Sequence, residues 1–157
     1  AATAAAKMDG TTPHELRIST VGAGKRGSIS HAEYLSELLD SVFCLCPVGW
    51  AHWSPRFYEA IQTGCVPVLF PSEEAGGGNE LPFARLVDYA SFVVSVPPSR
   101  VASLQADLHA IAADRVELRR RQRALWRHRP MLDWTDIGTG GAFHTLWSEV
   151  SASNAWF

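Results

Sequence analysis

The sequence predicts an α/β domain built on an open parallel sheet with helices on both faces. Two short apolar runs rich in β-forming residues, Val42 to Cys46 and Val66 to Phe70, flank a segment that opens with Ser54-Pro55 and closes at Gly64. Serine can cap a helix, proline is suited to its first position, and glycine stops it in the left-handed conformation. About ten helical residues between two strands is the length of a crossover, which forces the strands parallel within one sheet. The same alternation of strand and helix patterns elsewhere in the chain predicts helices on both sides of that sheet.

Taken in order, Ala1 to Thr12 is alanine and small polar residues without an apolar face, and reads as a linker or frayed end. Leu16 to Val21 suits a short strand, and Gly22, Gly24 and Gly27 after it match the G-x-G-x-x-G spacing of a dinucleotide loop. Such a fingerprint also needs an acid at the end of the next strand, whereas that strand ends in Cys46-Pro47-Val48. A flexible or anion-contacting loop is therefore the competing expectation. Residues 1–27 are read as a linker or truncated start, 28–152 as the domain and 153–157 as a tail.

Ser30 to Asp40 predicts a helix, with Ser30 and Glu33 spaced as a capping box and Tyr34, Leu35, Leu38 and Leu39 on one stripe. Beyond the central unit, Pro71 to Pro82 reads as a surface loop with a glycine run, Gly76 to Gly78. Phe92 to Val96 is a short strand stopped by Pro97-Pro98, and Ser99 opens a helix with Val101, Leu104, Leu108 and Ile111 on one face. A charged helix from Asp114 to His128 precedes a last one, Ala142 to Val150, whose stripe of Phe143, Leu146, Trp147 and Val150 is expected to face the core. Around the charged helix lie Arg115, Arg119, Arg120, Arg121, Arg123, Arg127 and Arg129. Trp126, the one Trp, Tyr or Phe among these arginines, is expected to turn inward with Leu118 and Leu125, so a solvated face is expected over a nucleic-acid patch.

With 157 residues, 46% hydrophobic and 19% charged, the chain suits one globular core. A formal net charge of -2 gives no reason to expect nucleic acid or an anionic membrane surface. No apolar run is long enough to span a bilayer, and no signal peptide is visible. Cys44, Cys46 and Cys65 do not suggest a disulfide framework and are expected to be buried hydrophobic thiols.

In an open α/β sheet, ligands sit outside the carboxyl ends of the strands. The loops Pro47 to Trp53 and Pro71 to Pro82 lie there. The first leads into a helix N-terminus, whose amides and dipole favour a phosphate, and Arg56 adds a planar donor fork. Glu59, one turn on, can accept two hydroxyls such as those of a ribose. The alternative is that Arg56 and Glu59 simply pair on a solvated face. Trp50 and Trp53 could stack on a base or sugar or be ordinary packing, and His52 reads as a loop histidine or, less readily, a base. The sequence has no metal constellation: there is no Asp-x-Asp, and the histidines are scattered.

The ordered pattern from Tyr34-Leu35 through Ser41-Val42-Phe43-Cys44-Leu45-Cys46-Pro47-Val48-Gly49, Ser54-Pro55-Arg56, Glu59-Ala60-Ile61, Gly64-Cys65-Val66-Pro67-Val68 and Leu81-Pro82-Phe83 resembles the exostosin family of glycosyltransferases. Weaker similarity continues through Leu86-Val87-Asp88-Tyr89, the arginine-rich helix and Phe143-His144. The resemblance implies the Rossmann-like C-terminal half of the two-domain architecture called GT-B, which binds the nucleotide-sugar donor. It implies inverting transfer from a UDP- or GDP-sugar to a polysaccharide or glycoprotein glycan, with no firm metal cofactor. It also implies lumenal Golgi membrane proteins, plant and algal members of which build cell-wall polymers. Carried onto this chain, Ser54 and Arg56 would meet the diphosphate and Glu59 the ribose or sugar hydroxyls; Gly49 is a further donor-binding candidate, and Trp50, His52 and Trp53 are candidate sugar or base contacts. The glycine run in Pro71 to Pro82 departs from the short acidic turn more usual there. The acceptor-binding half, the membrane anchor and the catalytic base are expected outside this chain, and a non-catalytic module that keeps the fold is the alternative.

Overall fold

A computed structural model of the chain describes residues 2–7, 16–21, 28–48, 54–71, 81–136 and 140–153. The elements in order are β1 (Ala2–Lys7), β2 (Leu16–Val21), β3 (Ser28–Ile29), α1 (His31–Leu39), β4 (Ser41–Cys46), α2 (Pro55–Thr63) and β5 (Val66–Leu69). They continue with β6 (Val94–Ser95), α3 (Leu104–Ala113), α4 (Arg115–His128) and α5 (Ala142–Ser153). Short stretches of tighter helix lie at Tyr89–Ser91, Pro98–Ser103 and Arg129–Leu132.

The strands form one sheet in the order β3-β2-β1-β4-β5-β6. The expected parallel arrangement holds for β4, β5 and β6, where Phe43 lies opposite Val66 and Val68 opposite Val94. The other half of the sheet corrects the all-parallel expectation, because β1 runs antiparallel to both β4 and β2. β1 occupies the stretch read as a linker. Alanine has little intrinsic strand preference, but a strand with a neighbour on each side pairs its backbone donors and acceptors on both edges, which side-chain patterning does not reveal.

Side chains of β4 and β5 alternate between two cores, as the pleat requires. On one face Cys44, Cys46, Cys65 and Leu69 pack with Tyr34 and Leu38 of α1, Phe57, Ala60 and Ile61 of α2, and Leu125 of α4. On the other, Phe43, Leu45, Val66 and Val68 pack with Leu104, Leu108 and Ala112 of α3. Helices thus cover both faces of the parallel part.

The cysteines depart from expectation. Cys44 and Cys65 form a disulfide with their Cα atoms 5.8 Å apart, within the usual span for such bonds. Cys44 lies opposite Pro67 in the parallel register. Cys65, two residues before Pro67, therefore faces the same side from the neighbouring strand. The relevant geometry was across strands, whereas the same-strand pair Cys44 and Cys46 offers none. Only Cys46 is the buried thiol expected. It donates to the Cys44 carbonyl at 3.4 Å, and burial pushes its pKa up to about 12.

Two aromatic expectations are also corrected. The stripe on α5 faces outward, with Phe143 64% and Trp147 66% exposed. The buried side of that helix is instead the small pair Ala142 and Thr145, the Thr145 hydroxyl donating to the Gly141 carbonyl at 3.1 Å. Periodicity identifies an apolar face but not its neighbour. Trp126 is 53% exposed, not turned inward, although Leu125 beside it is fully buried. The expected Ser99 helix begins as a tight turn and becomes α3 only at Leu104, leaving Val101 exposed.

The arginine-rich α4 is capped by Asp114, whose carboxylate accepts from the Val116 and Glu117 amides. Glu117 meets Arg120 at 2.7 Å and Arg121 at 2.8 Å. These partners, Arg120 first, hold its carboxyl down at about 2. Arg121 also donates to the Val93 carbonyl at 2.8 Å, tying α4 to the chain entering β6. Arg120 and Arg121 thus serve intramolecular contacts.

Two outcomes follow from these contacts. Reducing the disulfide, or replacing Cys44 and Cys65 together by alanine, should lower stability by about 2–4 kcal/mol in urea unfolding, because the bond constrains the unfolded chain. At the end of α4, His128 stacks on Phe92 with ring centroids 5.8 Å apart. Burial, with Arg127, holds its pKa below the ordinary 6.5 against the opposing pull of Asp88. The unfolded chain therefore takes up that proton first. This contribution to stability is complete above 6.5 and declines as pH falls through that value towards the folded-state pKa. Between about pH 7 and pH 5 the His128→Gln variant should lose less stability than the parent.

Candidate functional site

The crossover from β4 through α2 to β5 forms the candidate site. The β4 strand ends at Cys46 and α2 opens with Pro55 at its first position. Ser54 has extended backbone angles, φ -137 and ψ 130, but its hydroxyl makes no capping hydrogen bond, which corrects the expected serine cap. The contrast within the chain is Ser30. There the hydroxyl accepts from the Glu33 amide at 3.2 Å and the Glu33 carboxylate accepts from the Ser30 amide at 2.7 Å, completing the expected capping box. The start of α2 is thus held by proline and by the backbone, Phe57 N–H donating to the Ser54 carbonyl at 3.0 Å.

The helix sits firmly on its core. Phe57, Ala60 and Ile61 are buried, the Phe57 ring lying 5.9 Å from that of Tyr89. At its far end Gly64 takes φ 78, the expected left-handed cap, and donates to the Ile61 carbonyl at 3.2 Å. A Cβ at Gly64 would come within 2.9 Å of the Trp126 ring, so both conformation and space call for glycine. Trp126 in turn carries the Arg129 guanidinium 4.7 Å from its ring centroid, and Arg129 donates to Gln62 at 3.1 Å.

Arg56 and Glu59 lie on the half-buried flank of α2. The structure brings a third group to them. The Tyr34 hydroxyl, from the buried side of α1, donates to Oε2 of Glu59. Burial and the neighbouring carboxylate push the tyrosine pKa up to about 12, while the Arg56 guanidinium beside it pulls the other way. Arg56 and Glu59 also act in opposite senses on the Cys46 thiol, so both charges sit near the carboxyl end of β4. A buried tyrosine thus joins Arg56 and Glu59 on this flank of the helix. Sequence reasoning placed Tyr34 in the apolar stripe of α1 and gave it no further role. A core-facing tyrosine requires a hydrogen-bond partner for its hydroxyl, and that was the available signal.

The chain re-enters the described structure near α2 at Leu81. The Tyr89 hydroxyl donates to the Pro82 carbonyl at 2.6 Å. Phe83 takes φ 55, unusual for a bulky residue. It is held there by burial and by Leu86 and Val87, whose amides donate to its carbonyl at 2.9 and 2.8 Å. Gly49, Trp50, His52 and Trp53 lie outside the described residues, as do Gly22, Gly24 and Gly27 and most of the loop between Pro71 and Leu81. Among the described residues no cluster of His, Cys, Asp and Glu could hold a metal ion, and no helix is long and apolar enough to cross a membrane.

The model of the exostosin GT47 domain matches residues 4–111, more than half of the chain. The chain belongs to the exostosin GT47 family. That span covers β1 and β2 as well as the crossover, so the GT47 match begins earlier than the motif resemblance. It holds Tyr34, Ser54, Arg56, Glu59, Gly64 and Phe83. Among curated relatives, "Probable glucuronoxylan glucuronosyltransferase IRX7" of Arabidopsis thaliana is 43% identical over 82 residues, which are 52% of this chain and 17% of that protein. A "Probable glucuronosyltransferase" of Oryza sativa subsp. japonica is 36% identical over 116 residues, 72% of this chain and 26% of its own length. "Probable beta-1,4-xylosyltransferase IRX10" of Arabidopsis thaliana is 34% identical over 116 residues, again 72% and 26%. The chain therefore spans about a quarter or less of the length of these relatives.

Proposed function

We propose that this GT47 domain binds the diphosphate and ribose of a nucleotide-sugar donor, UDP- or GDP-linked, for inverting transfer of the sugar to a polysaccharide or glycoprotein glycan. The observation that carries the proposal is the cluster of Arg56, Tyr34 and Glu59 on α2 and α1, beside a helix start whose serine does not cap it. A departing nucleoside diphosphate gathers negative charge as the glycosidic bond to the sugar breaks. Arg56 and the amides of the first turn supply fixed positive charge for that moment, where preorganised donors are most effective. Glu59, one turn along, accepts hydroxyl donors and so suits the ribose, whose diol is the neutral part of the same ligand. The distribution of charge along α2 thus follows the distribution along a nucleotide.

The relatives' names as glucuronosyl- and xylosyltransferases make UDP-glucuronic acid and UDP-xylose the first donors to test, with a cell-wall glycan as acceptor. Gly49, Trp50, His52 and Trp53, which precede the helix, remain the proposed further donor contacts. The acceptor-binding half and the general base are assigned to sequence outside this chain. A lumenal Golgi membrane location agrees with the Cys44–Cys65 bond, because disulfides persist in oxidising compartments.

Calorimetric titration of the chain with UDP and with GDP tests the proposal. One diphosphate should bind, and both Arg56→Ala and Glu59→Ala should weaken it by roughly 10- to 100-fold, the range for losing a hydrogen bond to a charged group. Absence of binding to folded protein would refute the donor site and favour a non-catalytic module.

A further inference from the structure

Donor binding as described uses Arg56 and Glu59 but gives no reason for a buried tyrosine to reach between them. Tyr34 is 4% exposed. It stands on α1, a helix fixed at its start by the Ser30–Glu33 capping box, and contributes to the core beneath α2. Its hydroxyl spans 25 positions of sequence to donate to one specific oxygen, Oε2 of Glu59. With its pKa pushed up to about 12, the phenol stays protonated and remains a donor across the neutral range.

We propose that Tyr34 is a positioning residue for nucleotide recognition, its hydroxyl holding the Glu59 carboxylate in the orientation that meets the ribose diol. The inference rests on the donor-site proposal. Glutamate has three rotatable side-chain bonds, and a carboxylate that must be ordered on binding gives up affinity in doing so. A second hazard is specific to this helix. Arg56 and Glu59 are three residues apart, a spacing at which the carboxylate can fold onto the guanidinium. The Tyr34 hydrogen bond fixes Oε2 whatever the guanidinium does. It comes from a rigid neighbouring helix, so the orientation it sets does not depend on the ligand. Glu59 is thereby held ready for hydroxyls.

The ordinary role of a tyrosine in a core, satisfying its own hydroxyl, predicts effects on stability only. The two roles separate in a comparison of UDP with its 2′,3′-dideoxy analogue, which keeps the base and diphosphate but has no ribose hydroxyls for Glu59. Both ligands are titrated into the parent chain, Tyr34→Phe, Glu59→Ala and the double variant, with Tm recorded for each. Tyr34→Phe should weaken UDP by about 3- to 10-fold through lost preorganisation while leaving the dideoxy analogue nearly unchanged. In the Glu59→Ala background the same substitution should have no further effect on UDP. Equal weakening of both ligands, unchanged UDP affinity, or an undiminished effect of Tyr34→Phe without Glu59 would each overturn the positioning role. Failure of the parent chain to bind UDP or GDP would instead overturn the donor-site proposal, and this inference with it. If Tyr34→Phe proves poorly folded, Tyr34→Leu, which also lacks the hydroxyl and is smaller than the site, takes its place in the same comparison.

Discussion

Everything at the candidate site depends on how the crossover between β4 and β5 is held. The parallel pairing of these strands fixes where α2 begins and ends, and the Cys44–Cys65 bond closes the same unit from within the sheet. The helix is then pinned from two sides. Tyr34 reaches its middle from α1, and Arg129 with Trp126 holds its last turn from the end of α4. A helix anchored in this way carries its side chains on a rigid element, and a charged group on such an element loses less freedom on meeting a ligand than one on a loop. The cost is local: a left-handed glycine under an indole ring and a Phe83 backbone in a conformation that bulky residues avoid.

The division of labour among the charged residues follows from burial. On α4, Arg120 meets Glu117 at the surface, where such pairs contribute little to stability, whereas the Arg121 side chain, 17% exposed, meets it half-buried. Arg121 gains a structural role only where it reaches the Val93 carbonyl. Arg56 is likewise half-buried, beside a phenol and a carboxylate, and partial burial strengthens each of these interactions relative to water.

The legible parts of the sequence were those whose signals are local. Ser30 with Glu33 predicted a capping box, Pro55 the first turn of α2, and Gly64 its left-handed end, and each is found in the structure. The strand pair around α2 was legible because a crossover of that length has few alternatives. What escaped depends on long-range partners. The alanines of β1 carry no pattern, yet β4 and β2 recruit them into the sheet. The disulfide joins residues whose proximity comes from inter-strand register. The α5 stripe had the right period but the wrong neighbour, since Ala142 and Thr145 take the buried side. At the site, Arg56 and Glu59 were readable from helical spacing, whereas Tyr34 required knowing that α1 packs across α2.

The central claim is that α2 and the residues facing it receive the nucleotide part of a donor. Hydrogen exchange along the chain, compared with and without saturating UDP or GDP, tests it most directly. The account predicts slowed exchange in the first turns of α2, from Arg56 to Glu59, and in the part of α1 around Tyr34, with α5 unaffected. Protection confined to α4 or α5, or to the strands β1 to β3, in the presence of bound nucleotide would contradict it.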